Sequence, residues 1–125
     1  MSARAIALLL LVASPAPADS SVPQKRPGAP SASDREAARR LFTEGVHLYD
    51  DGKFGEAAAK LERAMAFADE PAVLFNIAQA RRMNGERKAA LAAYRAFLTR
   101  KPDPPQRKAV EQLIADLETP DAGAR

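Results

Sequence analysis

The feature that most constrains the fold is an internal repeat, because the chain resembles itself when it is shifted by 33 residues. Each unit reads as a helix–turn–helix of about 34 residues, and only a neighbouring unit can cover its apolar face. Eight positions agree in size and polarity over this shift: Leu41 with Leu74, Phe42 with Phe75, Gly45 with Ala78, Gly52 with Gly85, Ala57 with Ala90, Leu61 with Tyr94, Ala64 with Phe97, and Met65 with Leu98.

The spacing of apolar residues predicts an all-α fold. Between residues 33 and 118 these residues recur at i, i+3 and i+4, and no segment alternates with the period of a strand. Ser33, with Glu36 three residues later, predicts a capping box at the first of five helices. The fifth helix is expected from Asp103 to Glu118.

With units starting at Ala38 and Pro71, the repeat resembles the tetratricopeptide repeat (TPR) family. Glu44 and Asp69 depart from the family pattern in the first unit, as Arg81 and Phe97 do in the second. The resemblance implies a short TPR-like α-solenoid over residues 34–119, with two helix–turn–helix repeats and a C-terminal capping helix. The matching residues are Leu41, Gly45, Leu48, Ala57, Leu61 and Ala64, then Leu74, Ile77, Ala78, Ala90, Tyr94 and Pro102.

The N-terminal segment predicts export. Arg4 precedes an apolar run over residues 5–13, and Ala16 and Ala18 stand at the −3 and −1 positions of a cleavage site. Residues 1–18 are therefore expected to be a signal peptide of a bacterial protein, with the periplasm as its destination. The alternative is an uncleaved signal that tethers the chain to the membrane. Residues 19–33 are expected to be a disordered Pro/Ser-rich linker and 120–125 a disordered tail.

Composition excludes several kinds of chemistry. The net charge is only +3, too small for a nucleic-acid-binding domain. The absence of cysteine and the single histidine, His47, argue against a metal site within the monomer. Phosphate-binding loops, nucleophile elbows and zinc-protease motifs are absent from the sequence. We therefore expect that the protein is not an enzyme and that it binds no cofactor.

The TPR resemblance implies a concave groove lined by the first helix of each unit. Aromatic anchors and amides at such positions suit a protein or peptide partner. The alternative is that Phe42, Val46 and Phe75 only pack under the capping helix. The groove residues that the resemblance implies are Arg39, Phe42, Thr43, Val46, Tyr49, Phe75, Asn76, Gln79, Arg82 and Met83.

Asn76 also stands where chaperone-binding TPR proteins place one asparagine of a clamp for a C-terminal carboxylate. Phe42 and Val46 occupy two further clamp positions and do not match them. Lys108 and Gln112 are the nearest fit to the remaining positions.

Charge differs between the two units. Residues 38–70 carry five basic and seven acidic side chains, whereas residues 71–104 carry seven basic and two acidic ones. This difference permits two alternatives to the adaptor: a self-assembling structural protein, and a binder of an anionic polymer or lipid head group. The basic patch of the second unit consists of Arg81, Arg87, Lys88, Arg95, Arg100 and Lys101, beside Arg82 in the groove.

Overall fold

The computed structural model describes residues 28–119, so the predicted signal peptide, most of the linker and the tail lie outside the described residues. No strand occurs within residues 28–119, which confirms the all-α prediction for this part. None of its helices is both long enough and apolar enough to span a membrane. The helices are α1 (Ala32–Asp50), α2 (Phe54–Phe67), α3 (Val73–Met83), α4 (Arg87–Arg100) and α5 (Arg107–Glu118).

α1 begins earlier than predicted, because Ser31 and not Ser33 is its N-cap. The Ser31 hydroxyl accepts a hydrogen bond from the Asp34 N–H at 3.0 Å, and the Asp34 carboxylate accepts one from the Ser31 N–H at 3.0 Å. Asp34 therefore closes the capping box that the sequence assigned to Glu36. The prediction that residues 32 and 33 belong to the linker is wrong for the same reason.

The two helical hairpins repeat each other in detail. We call α1–α2 the first hairpin and α3–α4 the second hairpin. α2 and α4 have the same length and begin 33 residues apart, and the turn glycines Gly52 and Gly85 have positive φ values of 79° and 77°. Five backbone hydrogen bonds at the helix ends of the first hairpin recur 33 residues later, with donor–acceptor pairs 51–47, 52–49, 53–48, 57–53 and 68–64 matched by 84–80, 85–82, 86–81, 90–86 and 101–97.

Helices pack mainly on their neighbours in the chain, α1 on α2, α2 on α3, α3 on α4 and α4 on α5. Close approach within the first hairpin depends on Gly45, since a Cβ there would lie 2.9 Å from the Leu61 side chain. Small and large residues alternate in the core, which allows the close packing of a protein interior. The buried apolar residues are Leu41, Ala57, Ala58, Leu61, Ala64, Ile77, Ala78, Ala80, Ala90, Ala93, Tyr94, Phe97 and Val110.

α5 packs against α4 and covers the end of the core that the two hairpins leave open. Val110 is fully buried, and Leu113, Ile114 and Leu117 pack against the same core. The helix begins at Arg107, so the prediction that it starts at Asp103 is wrong. Residues 101–106 form the connection between α4 and α5, because a residue that precedes proline is disfavoured in the helical conformation, and Asp103 and Pro104 each precede one.

Candidate functional site

A pocket of about 200 Å³ lies between α1 and α3. We call it the groove pocket. Five of its lining residues belong to the ten groove residues that the sequence predicted, and they come from the C-terminal part of α1 and the middle of α3. The sixth comes from α2. The lining residues are Val46, Tyr49, Leu61, Phe75, Asn76 and Gln79.

The walls of the groove pocket have different chemistry. Val46 and Tyr49 of α1 present aliphatic and aromatic surface, and the Tyr49 ring is braced edge-on by Phe54 with 5.1 Å between centroids. α3 contributes two amides, Asn76 and Gln79, beside the Phe75 ring. Such a combination suits an apolar side chain whose neighbouring backbone needs hydrogen-bond partners.

A buried tyrosine hydroxyl organises the polar side of this site. Tyr94 of α4 is fully buried, and its hydroxyl donates to Gln79 Oε1. The same hydroxyl accepts from Arg82 Nε at 3.2 Å. Burial raises the pKa of Tyr94, and the hydrogen bond from Arg82 acts in the opposite direction. The hydroxyl therefore stays protonated and links α3 to α4.

The other predicted groove residues lie outside the pocket. Phe42 packs against the core, as Phe75 of the pocket also does. Arg39 forms an ion pair with Glu36 at 2.8 Å on α1, and the Thr43 hydroxyl donates to the Arg39 carbonyl at 3.0 Å. Met83 is 46% exposed at the end of α3. The structure thus gathers Val46, Tyr49, Phe75, Asn76 and Gln79 into one site with Arg82 beside it.

Leu61 and Tyr94 were missed as site residues, because the sequence assigned both to the hairpin core. The 33-residue shift had already matched them to each other. A tyrosine in the place of a buried leucine is the signal that could have found the polar cluster, since a buried phenol usually finds a hydrogen-bond partner.

Most of the predicted basic patch is paired with groups of the chain itself. Arg81 contacts Glu62 at 2.7 Å and Glu86 at 2.8 Å, and its hydrogen bond lowers the pKa of Glu86. Two contacts of the bidentate pair between Arg100 and Asp69 measure 2.7 and 2.9 Å. The Arg81–Glu62 pair joins the first hairpin to the second, and all of these pairs reduce the charge available to an external anion.

The rest of the basic patch is spread along α4 and the residue that follows it. Arg95 pairs with Glu118, and Arg87 donates to the Leu117 carbonyl at 2.5 Å. Lys88 and Lys101 form no ion pair within residues 28–119. They are about 20 Å apart at the helical rise of about 1.5 Å per residue, so they do not form one cationic surface.

A shallower hollow of about 630 Å³ lies where the start of α4 meets the end of α5. Two of its charged groups are paired, Glu86 with Arg81 and Glu118 with Arg95, whereas Lys88, which also lines it, forms no ion pair within residues 28–119. On α5, the exposed Gln112 donates to Asp116 at 3.0 Å. Within the described residues no group of three or more His, Cys, Asp or Glu side chains could hold a metal ion.

Comparison with protein-family models, curated proteins and solved structures finds no match for this chain. The resemblance to the TPR family therefore rests on the repeat and on the residues that carry it.

Proposed function

We propose that this chain is a non-catalytic TPR adaptor of the bacterial cell envelope, which holds a protein or peptide segment in the groove pocket. The observation that carries the proposal is the pocket itself. It is lined by apolar, aromatic and amide side chains from the equivalent helices α1 and α3, with Leu61 of α2 beside them. Pockets of this composition bind an apolar anchor while a few polar groups fix its orientation.

The TPR part of the proposal is supported by two features of the fold. The helix-end hydrogen bonds recur with a constant offset of 33 residues. Helices pack mainly on their chain neighbours, as expected for a solenoid in which each repeat contacts only the next. In this interpretation α5 is the capping helix, with Val110 buried and Lys108 exposed to water.

Export is proposed from residues 1–18 alone, which lie outside the described part of the chain. Its test is the intact mass of the protein purified from cell envelopes. We expect the mass of residues 19–125. A mass that includes residues 1–18 would instead support the tethered form.

The alternatives have less support in the structure. Self-assembly would have to use the groove pocket itself, because elsewhere among residues 28–119 Met83 is the one large hydrophobic residue that is well exposed. Binding of an anionic polymer or lipid head group by the basic patch needs free cations, and four of its six members are engaged within the chain.

The proposal is tested by selecting peptides from a random display library on the immobilised full-length protein. Val46→Asp places a charge in the apolar wall of the groove pocket, and Ala59→Asp adds the same charge at an exposed position of α2. Selected peptides should bind wild type and Ala59→Asp alike and lose at least tenfold in affinity for Val46→Asp.

Circular dichroism and thermal melting must first show that both variants keep the helical fold. Peptides that bind Val46→Asp as well as they bind wild type would contradict the groove as the binding site.

A further inference from the structure

The hydrogen-bond directions around Tyr94 determine which groups of the site remain free. Arginine can only donate, so the Tyr94 oxygen must accept from Arg82, at 3.2 Å. The phenol proton is then directed to Gln79, whose carbonyl oxygen must face it. A second donor, Arg82 Nη2, lies 3.5 Å from the same oxygen. The amide oxygen of Gln79 is therefore occupied.

This arrangement leaves donors, not acceptors, beside the groove pocket. The Gln79 Nε2 group carries two N–H donors and has no partner within residues 28–119. Arg82 uses Nε and Nη2 in its contacts with Tyr94 and Gln79, and Nη1 has no partner in the same residues. Both side chains are half-buried, which strengthens hydrogen bonds to a charged acceptor.

Arg82 also differs from the neighbouring arginines in its charge environment. Arg81, Arg95 and Arg100 each contact a carboxylate, and Arg87 contacts a carbonyl oxygen. Arg82 contacts a neutral hydroxyl and a neutral amide and forms no ion pair within residues 28–119. The second hairpin thus has one half-buried guanidinium whose charge is not neutralised, and it lies next to the apolar pocket.

We propose that the groove pocket binds an acidic peptide segment, with an apolar side chain in the pocket and an Asp or Glu side chain on Gln79 and Arg82. This inference rests on the proposed function and specifies its partner. Asn76 lines the pocket one helical turn before Gln79 and can bind the peptide backbone. Asn76 and Arg82 are about 9 Å apart along α3, the length of about three extended residues. The acidic residue is therefore expected within about three residues of the apolar one.

The probes are fluorescein-labelled peptides of twelve residues with amidated C-termini, in a Gly/Ser background. One carries Leu and, three residues later, Glu. Three further peptides serve as comparisons. Gln replaces Glu in the first, and Ser replaces Leu in the second. In the third, Ser replaces Glu and the C-terminus is not amidated, so that a free C-terminal carboxylate lies three residues after Leu. Binding to the full-length protein is measured by fluorescence polarisation at low salt, because a charge-assisted contact is screened at high salt.

We expect the Leu/Glu peptide to bind about tenfold more tightly than the Leu/Gln peptide. Arg82→Gln should bind the Leu/Glu and Leu/Gln peptides with about equal affinity, whereas Arg63→Gln should keep the wild-type preference for the Leu/Glu peptide. Arg63 is exposed on α2 and outside the pocket, so this control removes an equal charge. Replacing Leu with Ser should weaken binding to wild type and to Arg82→Gln alike.

Three results would overturn the inference. The wild type could bind the Leu/Glu and Leu/Gln peptides with equal affinity, Arg82→Gln could keep the wild-type preference for the Leu/Glu peptide, or every peptide could fail to bind. Tight binding that needs only the free C-terminal carboxylate would overturn the assignment to an acidic side chain. None of these outcomes decides the proposed function, because the display selection tests that independently. Selected peptides that depend on Val46 but carry no acidic residue would retain the groove and exclude this partner.

Discussion

The first hairpin places Leu61 where the second hairpin places Tyr94, and the two residues lie 33 positions apart on equivalent helices. Both are buried, but only Tyr94 carries a polar group into the interior. A buried hydroxyl without a partner costs free energy. The second hairpin supplies Gln79 and Arg82 as partners, whereas the equivalent positions of the first hairpin are Val46 and Tyr49.

One backbone repeat therefore carries two kinds of surface. The turns and helix ends agree hydrogen bond by hydrogen bond, so the difference between the hairpins lies in their side chains. α1 gives the groove pocket an apolar wall, and α3 gives it hydrogen-bond donors beside Phe75. The repeated backbone provides the shape of the site, and side-chain differences at a few equivalent positions provide its chemistry.

The largest expected effect comes from making the second hairpin resemble the first at Phe97, whose equivalent is Ala64. Phe97 is 2% exposed, and its ring centroid lies 5.6 Å from that of Phe75. Phe97→Ala should lower the free energy of unfolding by about 3–5 kcal/mol. That loss is comparable to the whole stability of a small domain. Thermal melting followed by circular dichroism should show loss of the cooperative transition.

Phe67→Ala is the matched control, because Phe67 is the half-buried last residue of α2. It should lose clearly less stability than Phe97→Ala. Equal losses in the two variants would show that the second hairpin does not hold the more sensitive part of the core.

A smaller effect is expected at Gly45, whose equivalent in the second hairpin is Ala78. An added Cβ would lie 2.9 Å from Leu61 Cγ and 3.3 Å from the Ala57 carbonyl oxygen. Gly45→Ala should therefore destabilise the protein by about 1–3 kcal/mol, partly offset by about 1 kcal/mol of better helix propensity. Urea unfolding measures the balance.

Gly55→Ala provides the comparison for this substitution, since a Cβ there would meet only the amide end of the Asn84 side chain, at 3.1 Å. It should be neutral or stabilising. If Gly45→Ala were equally well tolerated, the close approach of α1 to α2 would not depend on glycine.

The smallest expected effect is a dependence of stability on pH that comes from Tyr94, a residue that the first hairpin replaces with Leu61. Burial raises the folded-state pKa of Tyr94 above the unfolded value of about 10. The folded state therefore keeps this proton longer than the unfolded state does. The associated stability is complete below about pH 10 and is lost as pH rises towards the folded pKa. Tyr94→Phe should lower stability by about 1 kcal/mol at pH 7 and should reduce this alkaline loss.

The measurement is urea unfolding at several pH values between 7 and 11. An unchanged pH profile in Tyr94→Phe would disprove the role assigned to burial of this phenol.

Local patterns in the sequence predicted the helices well and their contacts poorly. Apolar spacing and the turn glycines Gly52 and Gly85 located both hairpins. The start of α1 was misplaced because Ser31 and Ser33 are both followed three residues later by an acidic residue, and spacing alone cannot choose between two capping boxes.

Contacts between distant residues needed the structure. The neutralisation of Arg100 by Asp69 joins positions 31 residues apart. The polar cluster of Tyr94 joins α4 to α3 through side-chain lengths and directions that a periodicity does not contain. The groove positions came from the family resemblance, and the structure divides them into pocket, core and helix-surface residues.

The most direct test concerns the two walls of the groove pocket. The ¹⁵N-labelled full-length protein is titrated with the amidated Leu/Glu peptide, and the side-chain amide resonances are followed by NMR. Asn76 and Gln79 lie in the pocket, whereas Asn84, Gln106 and Gln112 are exposed elsewhere. We predict that the Asn76 and Gln79 amides shift together and that those of Asn84, Gln106 and Gln112 remain unchanged. Shifts confined to the other three, or no shift at Gln79, would contradict the account of a groove with one apolar and one donating wall.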